Sequence, residues 1–269
     1  VLSIFITWIL LILMGAIPFY IIFPKENIRD IIFLSVSLSS TSGIWTEINT
    51  INNPEFLIWQ AILQWLGGLC TVLVGSFFVE MVLRKRNIIK DYFSIENIKI
   101  IFYLFLSFTI IFILLFKLFS NSWSNSIQLS MALISTSNAY LSNGDIIVES
   151  NIITKIIMLF AMIVGSLSIS LHYKSFTQGV LSYFRNKRFK LAFILILSIT
   201  LFITMVTFND IKIPFYEKYI DVCFLIISFI STTGLIPHNL YQYGALANLL
   251  LILSLLCLIG GSVSSTTGG

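Results

Sequence analysis

Ser40-Thr41-Ser42-Gly43 closes an apolar stretch of this chain, and the pattern returns as Ser135-Thr136-Ser137-Asn138 and Ser231-Thr232-Thr233-Gly234. The third residues of the three copies lie 95 and then 96 positions apart. A second landmark keeps nearly the same period. Gly67-Gly68, Gly165 and Gly260-Gly261 begin 24, 27 and 26 positions beyond the fourth residue of each copy. One hydroxyl run means little in an apolar chain. Three copies with a matched second landmark define an internal repeat.

The composition says what kind of chain carries the repeat. Of 269 residues, 57% are hydrophobic and 10% charged, 24 are Phe, and the mean hydropathy is +0.97. A soluble domain carries roughly 25% charged residues, and a disordered one is poor in Phe and Ile. Both classes are excluded, which leaves a polytopic membrane protein. Each repeat opens with a long apolar helix, expected over 1–22, 98–119 and 190–208. A shorter segment follows, at Ile28–Ser39, Trp123–Ile134 and Glu217–Ile230. A dozen helical residues rise about 18 Å, too little for a hydrocarbon core of about 30 Å. A third helix then runs inward over 54–83, 151–182 and from 244 onwards. The repeats accordingly occupy 1–97, 98–189 and 190–269.

Span, half-span, Ser/Thr-Gly turn and span is the plan of a pore-loop channel. Non-helical backbone at membrane depth persists only where protein or a water-filled cavity satisfies it. Carbonyls turned into such a cavity replace the hydration shell of an alkali cation. Charge sets the orientation. Nine of the sixteen basic residues fall in 84–99 and 185–190, which places both stretches on the cytoplasmic side. Nine of the twelve acidic residues, Asp30, Glu217 and Asp221 among them, fall in segments assigned to the outside, where they would attract cations. No nucleophile–base set, metal-spaced cluster, phosphate loop or nucleic-acid patch appears, so no enzymatic activity and no nucleic-acid partner is expected. Cys70, Cys223 and Cys257 stand in apolar runs and read as buried small hydrophobes.

These residues make the chain resemble the superfamily of bacterial Trk and Ktr potassium transporters and plant HKT proteins, within it the TrkH-type membrane subunit. Thr7-Trp8 with Gly15-Ala16-Ile17-Pro18-Phe19, the first Ser-Thr-Ser-Gly, and Gln64-Trp65-Leu66-Gly67-Gly68 carry the match. Its most specific part is the third turn followed by Gly260-Gly261-Ser262-Val263-Ser264-Ser265-Thr266-Thr267-Gly268-Gly269. The resemblance implies an all-α polytopic membrane fold with pseudo-four-fold repeats of helix, pore loop and helix, of which this chain holds about two and a half. It implies transport of K+, or of K+ and Na+ together. The filter would be the main-chain carbonyls of Thr41, Ser42, Gly43, Ser137, Asn138, Thr232, Thr233 and Gly234. The gate would be the unwound loop Gly260, Gly261, Ser262, Ser264, Ser265, Thr266, Thr267, Gly268 and Gly269. No organic cofactor is implied on the chain.

The same resemblance implies a homodimer in the lipid bilayer of a bacterial inner membrane. A cytoplasmic nucleotide-binding subunit of the TrkA/KtrA type would dock on its basic inner face. Family members carry four repeats, so the chain is expected to be a fragment that ends in the third gate loop, lacks the fourth repeat's filter-facing Arg and does not conduct alone. Two departures stand out. Asn138 takes a Gly slot in the internal register. An alternative register matches Asn138-Ala139 and puts Tyr140 in place of Gly. The internal register is preferred because Asn tolerates left-handed backbone far better than Tyr. Gln60 stands where the family commonly has Arg.

Other residues have plainer readings. Gly67-Gly68 read as a packing or hinge site. Lys174, counted 23 residues along one helix from Asn151, and His172 beside it read as structural groups near the inner interface. His238 reads as an outer-loop residue, and Trp8, Trp45, Trp59, Trp65 and Trp123 as interfacial anchors. Asn87–Lys99 reads as an interfacial amphipathic helix. Two other functional classes fit less well: an ion-coupled secondary transporter, which also uses broken helices, and a non-conducting structural relic.

Overall fold

Long apolar helices are interspersed with short ones along the chain. The structure is a computed structural model that describes residues 2–44, 54–85, 95–119, 122–137, 147–148, 151–207, 214–242, 246–262 and 264–267. Repeat one gives α1 (Leu2–Ile22), α2 (Ile28–Ser39) and α3 (Pro54–Lys85). Repeat two gives α4 (Ile95–Phe119), α5 (Trp123–Ile134), a two-residue strand β1 (Ile147–Val148), α6 (Ile152–Ser166), α7 (Ile169–Gln178) and the short α8 (Ser182–Arg185). Repeat three gives α9 (Lys187–Thr207), α10 (Phe215–Ile230), β2 (Ile236–Pro237), α11 (His238–Gln242) and α12 (Leu246–Ile259).

Among the described residues, α3 over Glu55–Val79 and α4 over Ile98–Phe119 are long and apolar enough to cross a membrane. The helices α2 and α5 have 12 residues each and α10 has 16. At the helical rise these lengths reach only about 18 and 24 Å. Exposed positions on α1, α9 and α12 are themselves apolar, Leu13, Phe202 and Leu258 among them. That is the surface a hydrocarbon solvent selects.

The chain divides into two compact units, Val1–Asp145 and Ile146–Gly269, so repeat two contributes α4 and α5 to the first and α6 to α8 to the second. In the first unit Phe19 of α1, Leu34 and Leu38 of α2, and Phe56 and Leu63 of α3 form one core. In the second, Ile203 of α9, Val222 and Leu225 of α10, and Leu249 and Leu253 of α12 form its counterpart. Opening helix, half-length helix and inward helix thus bury the same kind of face in repeats one and three. In both units an inward helix also packs on the half-length helix of the next repeat, α3 on α5 and α6 on α10.

Several expectations change. The inward helix of repeat two is not continuous over 151–182. It breaks after Ser166, and α7 leaves at 104° to α6. Gly165, Ser166 and Ser168 are weaker helix formers than the residues before them, and Ser168 takes extended backbone at the N-cap of α7. Counting residues from Asn151 therefore says nothing about the depth of Lys174, which is exposed on α7. His172 is buried, with Nε2 at 2.9 Å from the Val164 carbonyl and Nδ1 at 2.7 Å from the Tyr183 hydroxyl. A carbonyl only accepts, so Nε2 carries the proton of the neutral ring and Tyr183 donates to Nδ1.

Trp65 is not an interfacial anchor. It is buried in mid-helix, and its Nε1 donates to Thr109 Oγ1 at 2.8 Å, joining α3 to α4. Cys257 is exposed rather than buried, while Cys70 and Cys223 are half-buried. Trp45 and most of Asn87–Lys99 lie outside the described residues; Ile95–Lys99 open α4.

Candidate pore turns and gate loop

Each half-length helix ends in the same turn. Ser42 N–H donates to the Ser37 carbonyl at 3.0 Å, Ser137 to Ala132 at 2.9 Å and Thr233 to Ser228 at 2.9 Å. One residue earlier, Thr41 donates to Leu38 at 3.1 Å, Thr136 to Leu133 at 3.2 Å and Thr232 to Phe229 at 3.1 Å. This paired pattern is the Schellman motif, whose C′ residue is left-handed and is usually Gly. Here Thr holds that place all three times, with φ of +55° at Thr41, +49° at Thr136 and +57° at Thr232. A β-branched residue in that region is strained, at a cost of order 1–3 kcal/mol.

The hydroxyls on either side of each Thr close the turn. Ser40 and Ser42 Oγ lie 3.3 Å apart, Ser135 and Ser137 Oγ 3.0 Å, and Ser231 Oγ and Thr233 Oγ1 2.8 Å. Gly43 and Gly234, two residues after the strained Thr, are left-handed as well, at φ +68° and +74°. The equivalent Asn138 lies outside the described residues. The two bonds of each motif are accepted by carbonyls inside the helix, at Ser37 and Leu38, Ala132 and Leu133, and Ser228 and Phe229. The motif also sets the C-terminal end of a helix, which carries partial negative charge, against each turn.

Gly67-Gly68 supports two turns from behind. A Cβ on Gly67 would collide with the carbonyl oxygen of Ser39, the last residue of α2. A Cβ on Gly68 would lie 2.5 Å from Ser135 Cβ in the second turn. The pair is thus a packing site in an unbroken helix. Only residues without side chains let α3 approach both turns at once.

In repeats two and three the glycine landmark marks helix ends instead. Helix α12 stops at Ile259, Gly260 has φ +65° and Ser264 has φ +63°. The described loop residues dock on the α6–α7 break. Ser262 donates to the Ser166 carbonyl from its N–H at 3.1 Å and from Oγ at 2.9 Å, and Thr266 Oγ1 donates to the Gly165 carbonyl at 2.9 Å. In return Ile169 N–H, at the start of α7, donates to the Ser264 carbonyl at 3.4 Å. A helix break leaves backbone groups without intrahelical partners, and the loop supplies them. Inside the loop, Ser265 Oγ donates to the Ser262 carbonyl at 2.6 Å and lies 2.7 Å from Thr267 Oγ1. Val263, Gly268 and Gly269 lie outside the described residues.

One set of residues was not legible as a site. Lys155 of α6 and Asp221 of α10 are buried, with Lys155 Nζ 2.6 Å from Asp221 Oδ1. Asn239 Nδ2 of α11 donates to Asp221 Oδ2 at 2.8 Å. Asp221 is therefore no member of an exposed acidic rim. The available signal was Lys155 itself, a charge inside the apolar run Ile152–Phe160. Among the described residues no group of three or more His, Cys, Asp or Glu is placed to hold a metal ion.

Half-length helices that end in strained hydroxyl turns, a span packed against two of those turns through glycines, and a docked loop make up a fold that a solved structure shares. The chain is similar to the potassium transporter TrkH from Vibrio parahaemolyticus over 98% of its length, with a TM-score of 0.77 at 21% identity, and covers 56% of that chain. It is also 30% identical over 277 residues to an uncharacterized cation transporter of Methanocaldococcus jannaschii, covering 98% of this chain and 55% of the relative. It thus spans about half the length of both proteins. No family model matches the sequence.

Proposed function

We propose that the chain supplies three of the four walls of a cation pore that conducts K+, with Na+ as a weaker cargo, across a plasma membrane. The main-chain carbonyls of Thr41, Ser42 and Gly43, of Ser137 and Asn138, and of Thr232, Thr233 and Gly234 replace the ion's water shell. The fourth wall comes from outside these residues. The observation that carries the reading is the recurrence of a strained Thr at one register position in all three turns. Strain of this kind persists where function needs the geometry it imposes.

The Gly260–Gly269 loop blocks the path in this reading, and its bonds to Gly165 and Ser166 hold it in the closed position. Two such membrane subunits pair in the bilayer. A nucleotide-binding regulatory protein docks on the basic cytoplasmic segments 84–99 and 185–190 and shifts the loop. The likeness to a potassium transporter and to a cation transporter supports the cargo. The test is potassium-dependent growth of uptake-deficient cells carrying the protein as its gene encodes it, together with 86Rb+ flux in proteoliposomes. Growth rescue and flux are expected; a well-expressed protein giving neither would sink the transport reading.

A further inference from the structure

We propose that Lys155, Asp221 and Asn239 form a positioning device that holds the third filter limb in register and thereby sets ion preference; the proposal rests on the transport reading above. The helix α10 descends to the turn at Ser231–Gly234, and the chain then returns through β2 to α11. The bond between Asp221 Oδ2 and Asn239 Nδ2 closes that hairpin, with a span of 18 residues in sequence. At the other end the Ser228 carbonyl accepts from Thr233 N–H at 2.9 Å and from Gly234 N–H at 3.3 Å. Between the two, Ile236 and Pro237 of β2 pair in parallel with Ile147 and Val148 of β1. The returning limb is therefore tied at its base, along its side and at its top. Asp221 makes the top tie.

The charges explain why the tie has three members. A lone carboxylate at 2% exposure would be costly. Lys155 Nζ, on the other oxygen at 2.6 Å, offsets that cost by pairing with the carboxylate, and joins the assembly to α6. The pair has no net charge, so its field falls off faster with distance than that of a lone ion. Removing Asp221 alone leaves an ammonium buried beside the first half of α10, whose uncompensated charge would repel cations. Removing both charges restores neutrality but weakens the tie, because an amide oxygen accepts from Asn239 less strongly than a carboxylate.

This gives two separable signatures in the full protein, read as 86Rb+ and 22Na+ flux in proteoliposomes at matched protein amounts. Asp221→Asn is expected to lower 86Rb+ flux at least tenfold, and Lys155→Met/Asp221→Asn to recover at least half of it. Asn239→Ala, which changes no charge, is expected to reduce the 86Rb+ over 22Na+ preference at least threefold without lowering total flux by that factor. A merely structural role would lower both fluxes in proportion and leave the preference alone. Should Asp221→Asn fail to accumulate, the double variant and Asn239→Ala carry the test. Unchanged preference in both of these, with a conducting parent protein, overturns the positioning role and leaves the transport reading standing. A parent protein that conducts neither ion overturns both.

Discussion

Ser262 and Ser166 stand 96 positions apart, one repeat period, and meet through two hydrogen bonds to a single carbonyl, from Ser262 N–H at 3.1 Å and from its Oγ at 2.9 Å. Equivalent points of consecutive repeats thus touch, and they do so where both inward helices stop being helical. The contact ties the loop after α12 to the break between α6 and α7. Any displacement of the loop has to give up these bonds.

That geometry makes the loop sensitive to loss of hydroxyls. Ser262→Ala combined with Thr266→Val removes the side-chain bonds to Ser166 and Gly165, at about 0.5–1.5 kcal/mol each. Together that is about 1–3 kcal/mol, so the docked state should lose roughly fivefold to a hundredfold in population relative to a displaced one. Cation flux is expected to rise in the double variant. Flux equal to or below that of the parent, at equal expression, would count against a gate held at this seat.

The strained threonines give a prediction in which stability and function move in opposite directions. Thr232→Gly relieves left-handed strain at φ +57°. It is expected to leave the unfolding midpoint in detergent unchanged or raise it, by up to about 1 kcal/mol. The same change frees the third turn and is expected to lower potassium over sodium preference in flux assays. A variant both less stable and equally selective would contradict the assignment of strain to this site.

The glycine pair on α3 should tolerate no side chain. Gly67→Ala meets a backbone carbonyl at Ser39, which cannot rotate away, and Gly68→Ala meets Ser135. Overpacking of this kind costs roughly 1–3 kcal/mol. Each variant is expected to lower the unfolding midpoint and transport together, Gly67→Ala the more strongly.

Trp65→Phe offers a contrast in the same helix. It removes the donor to Thr109 Oγ1, yet Thr109 keeps its own bond to the Phe105 carbonyl at 2.8 Å. A stability loss of about 0.5–1.5 kcal/mol is expected, with ion preference unchanged. A shift in preference would show that the α3–α4 contact controls the turns.

The sequence by itself determined the half-length helices and their ends. Hydropathy set the long spans, and the hydroxyl tripeptides marked where α2, α5 and α10 stop, because both signals are local. It could also mark Gly67-Gly68, Gly165 and Gly260-Gly261 as equivalent. Only the tertiary structure decided that these glycines serve different ends, a close approach to Ser39 and Ser135 in one repeat and helix termini in the other two. The 104° turn after Ser166 depends on the loop from Ser262 to Thr266 being present to satisfy the opened backbone, and those partners are 96 to 101 residues away. The same holds for Lys155 and Asp221, 66 positions apart. Each looks costly alone in an apolar setting, and only the fold brings them to 2.6 Å, where burial turns two liabilities into one tie.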